Sequence, residues 1–89
     1  MIRSFANKAT EQLSQRKRVK SIDPRIERVA LRKLRQLNAA VALEDLRVPP
    51  GNRLERLQGD RFGQHSIRIN DQWRICFRWT DLGPEEVEI

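Results

Sequence analysis

Three arginines, Arg68, Arg74 and Arg78, fall in the stretch QHSIRINDQWRICFRWT, Gln64 to Thr80, where two alternating runs flank the polar triplet Asn70-Asp71-Gln72. Alternation at period two, with β-branched and aromatic residues, marks half-buried strands, and two such runs around a three-residue loop read as a β-hairpin. The loop sets Ile69 opposite Trp73, and parity sorts the rest. His65, Ile67, Ile69, Trp73, Ile75, Phe77 and Trp79 share one face; Ser66, Arg68, Asn70, Arg74, Cys76, Arg78 and Thr80 share the other. The chemistry on offer is anion binding. Guanidinium groups grip phosphate bidentately, and three on one face repel one another until an anion meets them. The single histidine, His65, falls on the apolar face, so its reading is structural rather than catalytic. Cys76 shares the arginine face without a partner histidine and reads as a small filler rather than a nucleophile. Trp73 and Trp79 read as core residues, not as base-stacking platforms.

The totals narrow the partners. Eighty-nine residues make a single domain over 1–89, and a formal charge of +6 favours nucleic acid, an acidic protein or an anionic surface. All four lysines lie in the first half; from Arg47 onward every cation is an arginine. One cysteine excludes an internal disulfide and points to a reducing cytoplasm. Zinc-type spacing of cysteine and histidine is absent, so no metal or other cofactor is expected. No membrane-spanning run and no signal-peptide core is visible.

The hairpin needs elements to cover its apolar face. Ile2 to Phe5 is a short β-like opening, and Asn7 is positioned to cap a helix through about Gln15, with Ala9 and Leu13 inward. The run QRKRVKS reads as a mobile, solvated basic loop, with RNA contact left open. Ser21 to Asn38 is the clearest helix. Asp23 suits the N-cap and Pro24 the first turn. Ile26, Val29, Ala30, Leu34 and Leu37 form its apolar stripe, and Arg25, Arg28, Arg32 and Arg35 take the other face. A core stripe with a solvated basic back is the preferred reading over a recognition helix or a membrane-surface helix. The helix breaks at Asn38-Ala39-Ala40, and another helical turn holds Leu43 and Leu46 until Pro49-Pro50-Gly51-Asn52 ends it. Leu54 to Leu57 reads as a short strand, Gln58 to Gly63 as a tight loop, Leu82-Gly83-Pro84 as a turn and Glu85 to Ile89 as a last strand. The expected class is α+β, with the N-terminal helices packed on one face of a twisted, mainly antiparallel sheet and the arginine face left open.

The run RLERLQGDRFGQHSIRINDQWRICFRW, Arg53 to Trp79, resembles the HigB group of RelE/ParE-type toxins, the plasmid maintenance killer proteins, and MIRSF and LNAAVALEDLRVPPGNRLE are similar to the same group. The resemblance implies a small RelE-like (microRNase) fold and a type II toxin that binds the ribosomal A site and cleaves mRNA there. It also implies neutralisation by a helix-turn-helix antitoxin of the HigA kind, with operator DNA reached only through that antitoxin and no membrane partner. Residue by residue, Arg74 matches the family arginine at the scissile phosphate, Arg68 a basic residue on the preceding strand, and Arg61 the basic residue of the Gly-Asp-Arg loop. Arg53, Arg56, Arg61 and Arg78 are assigned to RNA contacts. Some family members carry histidine where this chain has Glu55 and lysine where it has Gln58. Glu55 thus becomes the candidate general base, while Gln58 supplies no charge. The family usually continues after a strand like Val87-Glu88-Ile89 into a V-D-Y-H tail that contributes to catalysis; without it, weakened cleavage is expected of the 89-residue chain.

The implied chemistry is metal-independent attack of a 2′-hydroxyl on the adjacent phosphate. It requires a base, cations for the phosphorane charge and a proton donor for the leaving oxygen. Arg74 and Arg68 fit the cationic role, Glu55 the base, and no residue is a convincing acid. Two competing readings share the fold. One is a ParE-like gyrase poison, marked by DNA damage rather than translation arrest. The other is a module that only binds antitoxin and co-regulates the operon.

Overall fold

Asn7 starts the first helix, α1 (Lys8–Ser14), by accepting the Thr10 backbone N–H on its side-chain oxygen at 2.9 Å. The helix closes in a Schellman motif in this computed structural model, which describes residues 1–89. The Lys17 N–H donates to the Gln12 carbonyl at 3.0 Å and the Arg16 N–H to the Leu13 carbonyl at 2.8 Å. Such a closure needs one residue in the left-handed region, normally glycine, and Arg16 takes it with φ 64°. The basic run is therefore pinned at its start, and Val19 and Ile22 within its continuation are buried in the core. The sequence reading of a loop with little to bury overlooked these two side chains, because isolated apolar residues among cations carry no period. Arg16→Gly is expected to stabilise the fold by about 0.5–1 kcal/mol, since glycine adopts this conformation without the Cβ clash. Thermal melts followed by circular dichroism should show Tm rising by roughly 2–8 °C, and a fall would contradict the strain assignment.

The second helix, α2 (Pro24–Ala39), begins where the capping signals place it, with the Asp23 carboxylate accepting the Arg25 N–H at 2.9 Å. Ile26, Ala30, Leu34 and Leu37 are buried and Arg25, Arg28, Arg32 and Arg35 are exposed, which is the core-stripe arrangement. One residue breaks the pattern: Lys33 lies in the stripe and is only 5% exposed. Two 3-10 turns follow, at Leu43–Arg47 and Pro50–Asn52. The first is fastened by the Asp45 carboxylate, which accepts the Val41 and Ala42 N–H groups at 2.9 and 3.1 Å.

Four strands then form one antiparallel sheet in chain order: β1 (Glu55–Arg56), β2 (His65–Arg68), β3 (Arg74–Thr80) and β4 (Gly83–Glu88). β1 is shorter than the Leu54–Leu57 run suggested, although the Leu57 N–H still donates to the Gln64 carbonyl at 2.9 Å. The hairpin register is the one parity required: Ile67 opposes Ile75, Arg68 opposes Arg74, and the Ile69 N–H donates to the Trp73 carbonyl. The final turn lies one residue earlier than read, so Gly83 and Pro84 already belong to β4. Gly83 has φ 121°, and a Cβ there would collide with the Met1 carbonyl oxygen. The opening Ile2–Phe5 segment docks beside β4, with a parallel bridge between Phe5 and Val87. The β3–β4 register shifts between Cys76 and Arg78, a bulge that puts Glu86 at φ 53°.

α1 and α2 cover one face of this sheet. Ile67, Ile75, Phe77 and Val87 on the sheet, with Leu34, Leu37 and Leu46 from the helical side, form the fully buried centre. Trp79 packs against this core as parity predicts. Trp73, read as core, is not: it is 37% exposed, because it stands at the loop end of β3 beside a depression edged by Ala9, Ile22 and Ile26.

Candidate functional site

The uncovered face of the sheet carries the arginines, and Arg74 is the most firmly held. Its Nε donates to Ser66 Oγ across the hairpin at 2.7 Å. Its Nη2 donates to the Arg53 carbonyl at 2.5 Å and to the Ser66 carbonyl at 3.3 Å. Three bonds on one edge fix the plane of the guanidinium, and the Nη1 amino group is left without a partner in the chain. A planar cation pre-set in this way can receive an anion without first losing side-chain freedom. Arg68 stands directly opposite Arg74 in the ladder, and its Nη2 donates to Asp71 Oδ1 at 2.5 Å. Glu55 on β1 shares this face, because it pairs with Ser66. Its carboxylate lies 3.9 Å from Arg74 Nη2 and is 58% exposed, open to a ligand.

The repulsion expected of this face is answered from within the chain. Arg78 pairs with Glu86 at 2.8 Å and Arg61 with Glu88 at 2.8 Å, so with Asp71 and Glu55 each of the four arginines has a carboxylate. The Gly-Asp-Arg loop folds over the face to achieve this. A Cβ on Gly63 would stand 2.8 Å from Arg78 Nη1, and Arg61 reaches β4 past Cys76. Glu88 raises the Arg61 pKa by accepting its hydrogen bond. Burial pushes the Cys76 thiol up, against the pull of Arg61 and Arg74, which keeps it protonated and fits a filler. Glu86 holds Arg78 by Nε and so competes with an incoming phosphate for its charge. Glu86→Gln is therefore expected to tighten the binding of a phosphate-bearing polyanion to this face about two- to fivefold, the range of one exposed ion pair. Fluorescence anisotropy on a single-stranded RNA reads this directly, and weaker binding would show that Glu86 orients Arg78 rather than competing for it.

Not every arginine assigned to RNA joins the face. Arg56 pairs with His65 in the ladder and so projects to the opposite side of the sheet, over a depression lined by Leu43, Glu44, Arg47, Leu54 and His65. A strand as short as β1 shows no parity in the sequence, so nothing there separates Arg56 from the arginines of the open face. Arg53 is exposed, but the contribution that shows is its main-chain oxygen, offered to Arg74. His65 stacks on Phe77 with ring centroids 6.2 Å apart, and burial, then Arg56, lowers its pKa. It lies away from the arginine face, as parity placed it.

Two residues that support the site were missed. Asn52 is fully buried, and its Oδ1 accepts from Lys33 Nζ. Its Nδ2 donates to the Leu46 carbonyl at 3.1 Å, the Val48 carbonyl at 3.4 Å and Gln36 Oε1 at 3.3 Å. Asn52 thereby ties α2 to the turn that ends in Arg53, held left-handed at φ 45°, whose carbonyl anchors Arg74. Burial lowers the Lys33 pKa, with smaller repulsions from Arg32 and Arg68. A signal existed in the sequence: Lys33 stands seven residues after Ile26 and four before Leu37, inside the apolar stripe.

Two helices on one face of a four-stranded antiparallel sheet, with a cation-rich opposite face, define a RelE-like α+β fold. Residues 3–87 match the family described as the RelE-like toxin of type II toxin–antitoxin system HigB. The chain is 46% identical over 82 residues to Toxin HigB-1 of Vibrio cholerae, covering 91% of this chain and 86% of the relative. It is also 37% identical over 54 residues to an uncharacterized protein of Haemophilus influenzae, covering 61% of this chain and 54% of the other. The chain belongs to the HigB-like toxins of type II toxin–antitoxin systems, a membership that implies a cognate antitoxin. No helix is long and apolar enough to cross a membrane.

Proposed function

We propose that this toxin is a ribosome-dependent mRNA endonuclease that cuts in the A site and is silenced by a HigA-type antitoxin. The observation that carries the reading is the fixed guanidinium of Arg74, with Nη1 unpartnered and Glu55 beside it on an open face. Glu55 takes the proton from the 2′-hydroxyl, and the oxygen attacks the adjacent phosphorus. Arg74 and Arg68 neutralise the charge gathering on the phosphorane oxygens. The bond from phosphorus to the 5′-oxygen breaks, that oxygen takes a proton from solvent, and a 2′,3′-cyclic phosphate and a 5′-hydroxyl result. Arg61 and Arg78 hold flanking phosphates once their carboxylate partners let go, and exposed Arg53 contacts the strand at the rim. Ribosomes place the site of action in the cytoplasm. They also supply what this face lacks, a surface that orders a flexible mRNA into the geometry required for in-line attack.

Primer extension on a defined mRNA in a purified translation system tests the proposal. Cuts at codon-related positions are expected only with ribosomes present, and they should vanish on adding antitoxin. Cuts on naked RNA, or arrest without cuts, would overturn it. DNA damage in place of translation arrest would move the assignment to gyrase.

A further inference from the structure

Phe62 is the most exposed aromatic side chain of the protein. Phe77 is fully buried, Phe5 and Trp79 pack against the core and Trp73 is mostly covered, whereas Phe62 is 69% exposed. Its main chain is nevertheless fixed. Phe62 closes the 3-10 turn Gly59–Arg61, its N–H donating to the Gly59 carbonyl at 3.0 Å. Both of its neighbours are fastened to the open sheet face. Arg61 donates to Glu88 Oε1 at 2.8 Å and to Gln64 Oε1 at 3.0 Å. Gly63, left-handed at φ 90°, packs against Arg78 Nη1. The ring itself stacks on no other ring and stands outside the core cluster.

We infer that Phe62 is a stacking platform for one nucleobase of the bound single strand, beside the phosphates held by Arg61 and Arg78. This assignment rests on the open face being the mRNA surface. A single exposed apolar side chain carries no message by its exposure alone. Position supplies the message here: the ring is displayed between two residues that touch the face, one a phosphate-binding arginine and the other packed on a second. A nucleotide presents a flat π-surface next to its own phosphate, so a ring and two guanidinium forks in this order meet both of its parts. An apolar side chain of the antitoxin is the competing occupant. Aromatic anchors between proteins fill pockets, and Phe62 borders none of the four depressions of the chain. An open platform suits a flat partner. It also gives the face a means of sensing bases, which arginines bound to phosphates lack, with the wider purines held more strongly.

The test is anisotropy at low salt with two labelled probes of equal length and charge, oligoadenylate and an abasic ribose–phosphate oligomer. Phe62→Ala should weaken oligoadenylate binding roughly tenfold, the range of one stacked base. The abasic oligomer, held by its phosphates alone, should change by no more than about twofold. Phe62→Trp should bind oligoadenylate at least as tightly as wild type, and Phe62→Leu, apolar but without a π-face, should side with alanine. Quenching of a 2-aminopurine placed in the oligomer should accompany wild-type binding and be lost in Phe62→Ala. Val41→Ala, which trims an exposed apolar side chain on the helical side, should alter neither probe. In the ribosomal assay Phe62→Ala should still cut but lose any preference for a purine beside the cut. Equal loss for the abasic oligomer would mean that Phe62 supports the loop and not a base. Oligoadenylate binding or base preference that ignores Phe62 would overturn the stacking and leave the arginine face standing as the RNA surface. So would loss of antitoxin affinity in Phe62→Ala with both oligomers bound as before. Wild-type protein that binds neither oligomer and cuts nothing on ribosomes would overturn the RNA reading of the face, and the stacking with it.

Discussion

Arg74→Ala is expected to lower the proposed ribosome-dependent cleavage by about 10²–10³-fold, the loss typical of removing one preorganised charge donor from a developing oxyanion. The size follows from how the side chain is held. An arginine free to rotate would lose entropy on meeting the phosphorane, and much of its attraction would go to ordering it. Here Ser66 Oγ and two main-chain carbonyls have already fixed it. Alanine also leaves the buried Ser66 hydroxyl without its partner, which costs about 1–2 kcal/mol of stability and could be mistaken for a catalytic loss. Arg74→Lys separates the two effects. Lysine keeps the charge but presents no fork, so it cannot span Ser66 and Arg53 while still pointing donors at a phosphate. Its cleavage should stay at least about tenfold below wild type at saturating ribosomes, with antitoxin binding unchanged as the sign of an intact fold. Wild-type cleavage by Arg74→Ala at matched folded fraction would remove this arginine from the chemistry.

What the sequence disclosed and what it hid divide along a physical line. Period-two alternation from Gln64 to Thr80 carries register, because one slipped residue would exchange Ile67, Ile75 and Phe77 for arginines in the core. The hairpin, its two faces and the convergence of Arg68, Arg74 and Arg78 were legible for that reason. The α2 stripe and its Asp23-Pro24 start were legible through the helical period and a capping signal. Features set by contact between distant segments were not. Nothing near Arg61 announces that it will meet Glu88, and the bulge that lets Glu86 reach Arg78 is a property of pairing between strands. The neutralised state of the open face was therefore invisible, although every residue in it was in view. Arg56 shows the same limit on a smaller scale, since a strand of two residues has no period to sort its faces. Lys33 is different in kind. Its position was readable, but charge overrode position in the reading, and its partner Asn52 lay nineteen residues away in a turn valued only as a helix terminator.

Asn52→Ala should produce the largest stability loss of any single change outside the apolar core, about 3 kcal/mol, equivalent to a Tm lowered by roughly 12–24 °C for a domain this size. The substitution strips the Leu46 and Val48 carbonyls of their shared donor and leaves the Lys33 ammonium buried with no acceptor. That last term gives the deficit a pH signature. Burial holds the folded Lys33 pKa below the ordinary 10.5, so carrying the charge penalises the folded state below the folded pKa. The penalty fades as pH rises from the folded pKa to 10.5 and is absent above it. The alanine variant, with a worse-solvated ammonium, should recover part of its deficit over that alkaline window, whereas a loss caused only by the orphaned carbonyls would not. Lys33→Met combined with Asn52→Leu should lie closer to wild type than Asn52→Ala does, since removing both partners leaves no unpaired charge. That double variant also separates stability from function. It still lacks the asparagine bridge that ties the Arg53 turn to α2, so the carbonyl anchoring Arg74 loses its support. A stable double variant whose cleavage falls roughly tenfold would identify Asn52 as a positioning residue acting through Arg53. Full cleavage by a stable double variant would confine Asn52 to the fold.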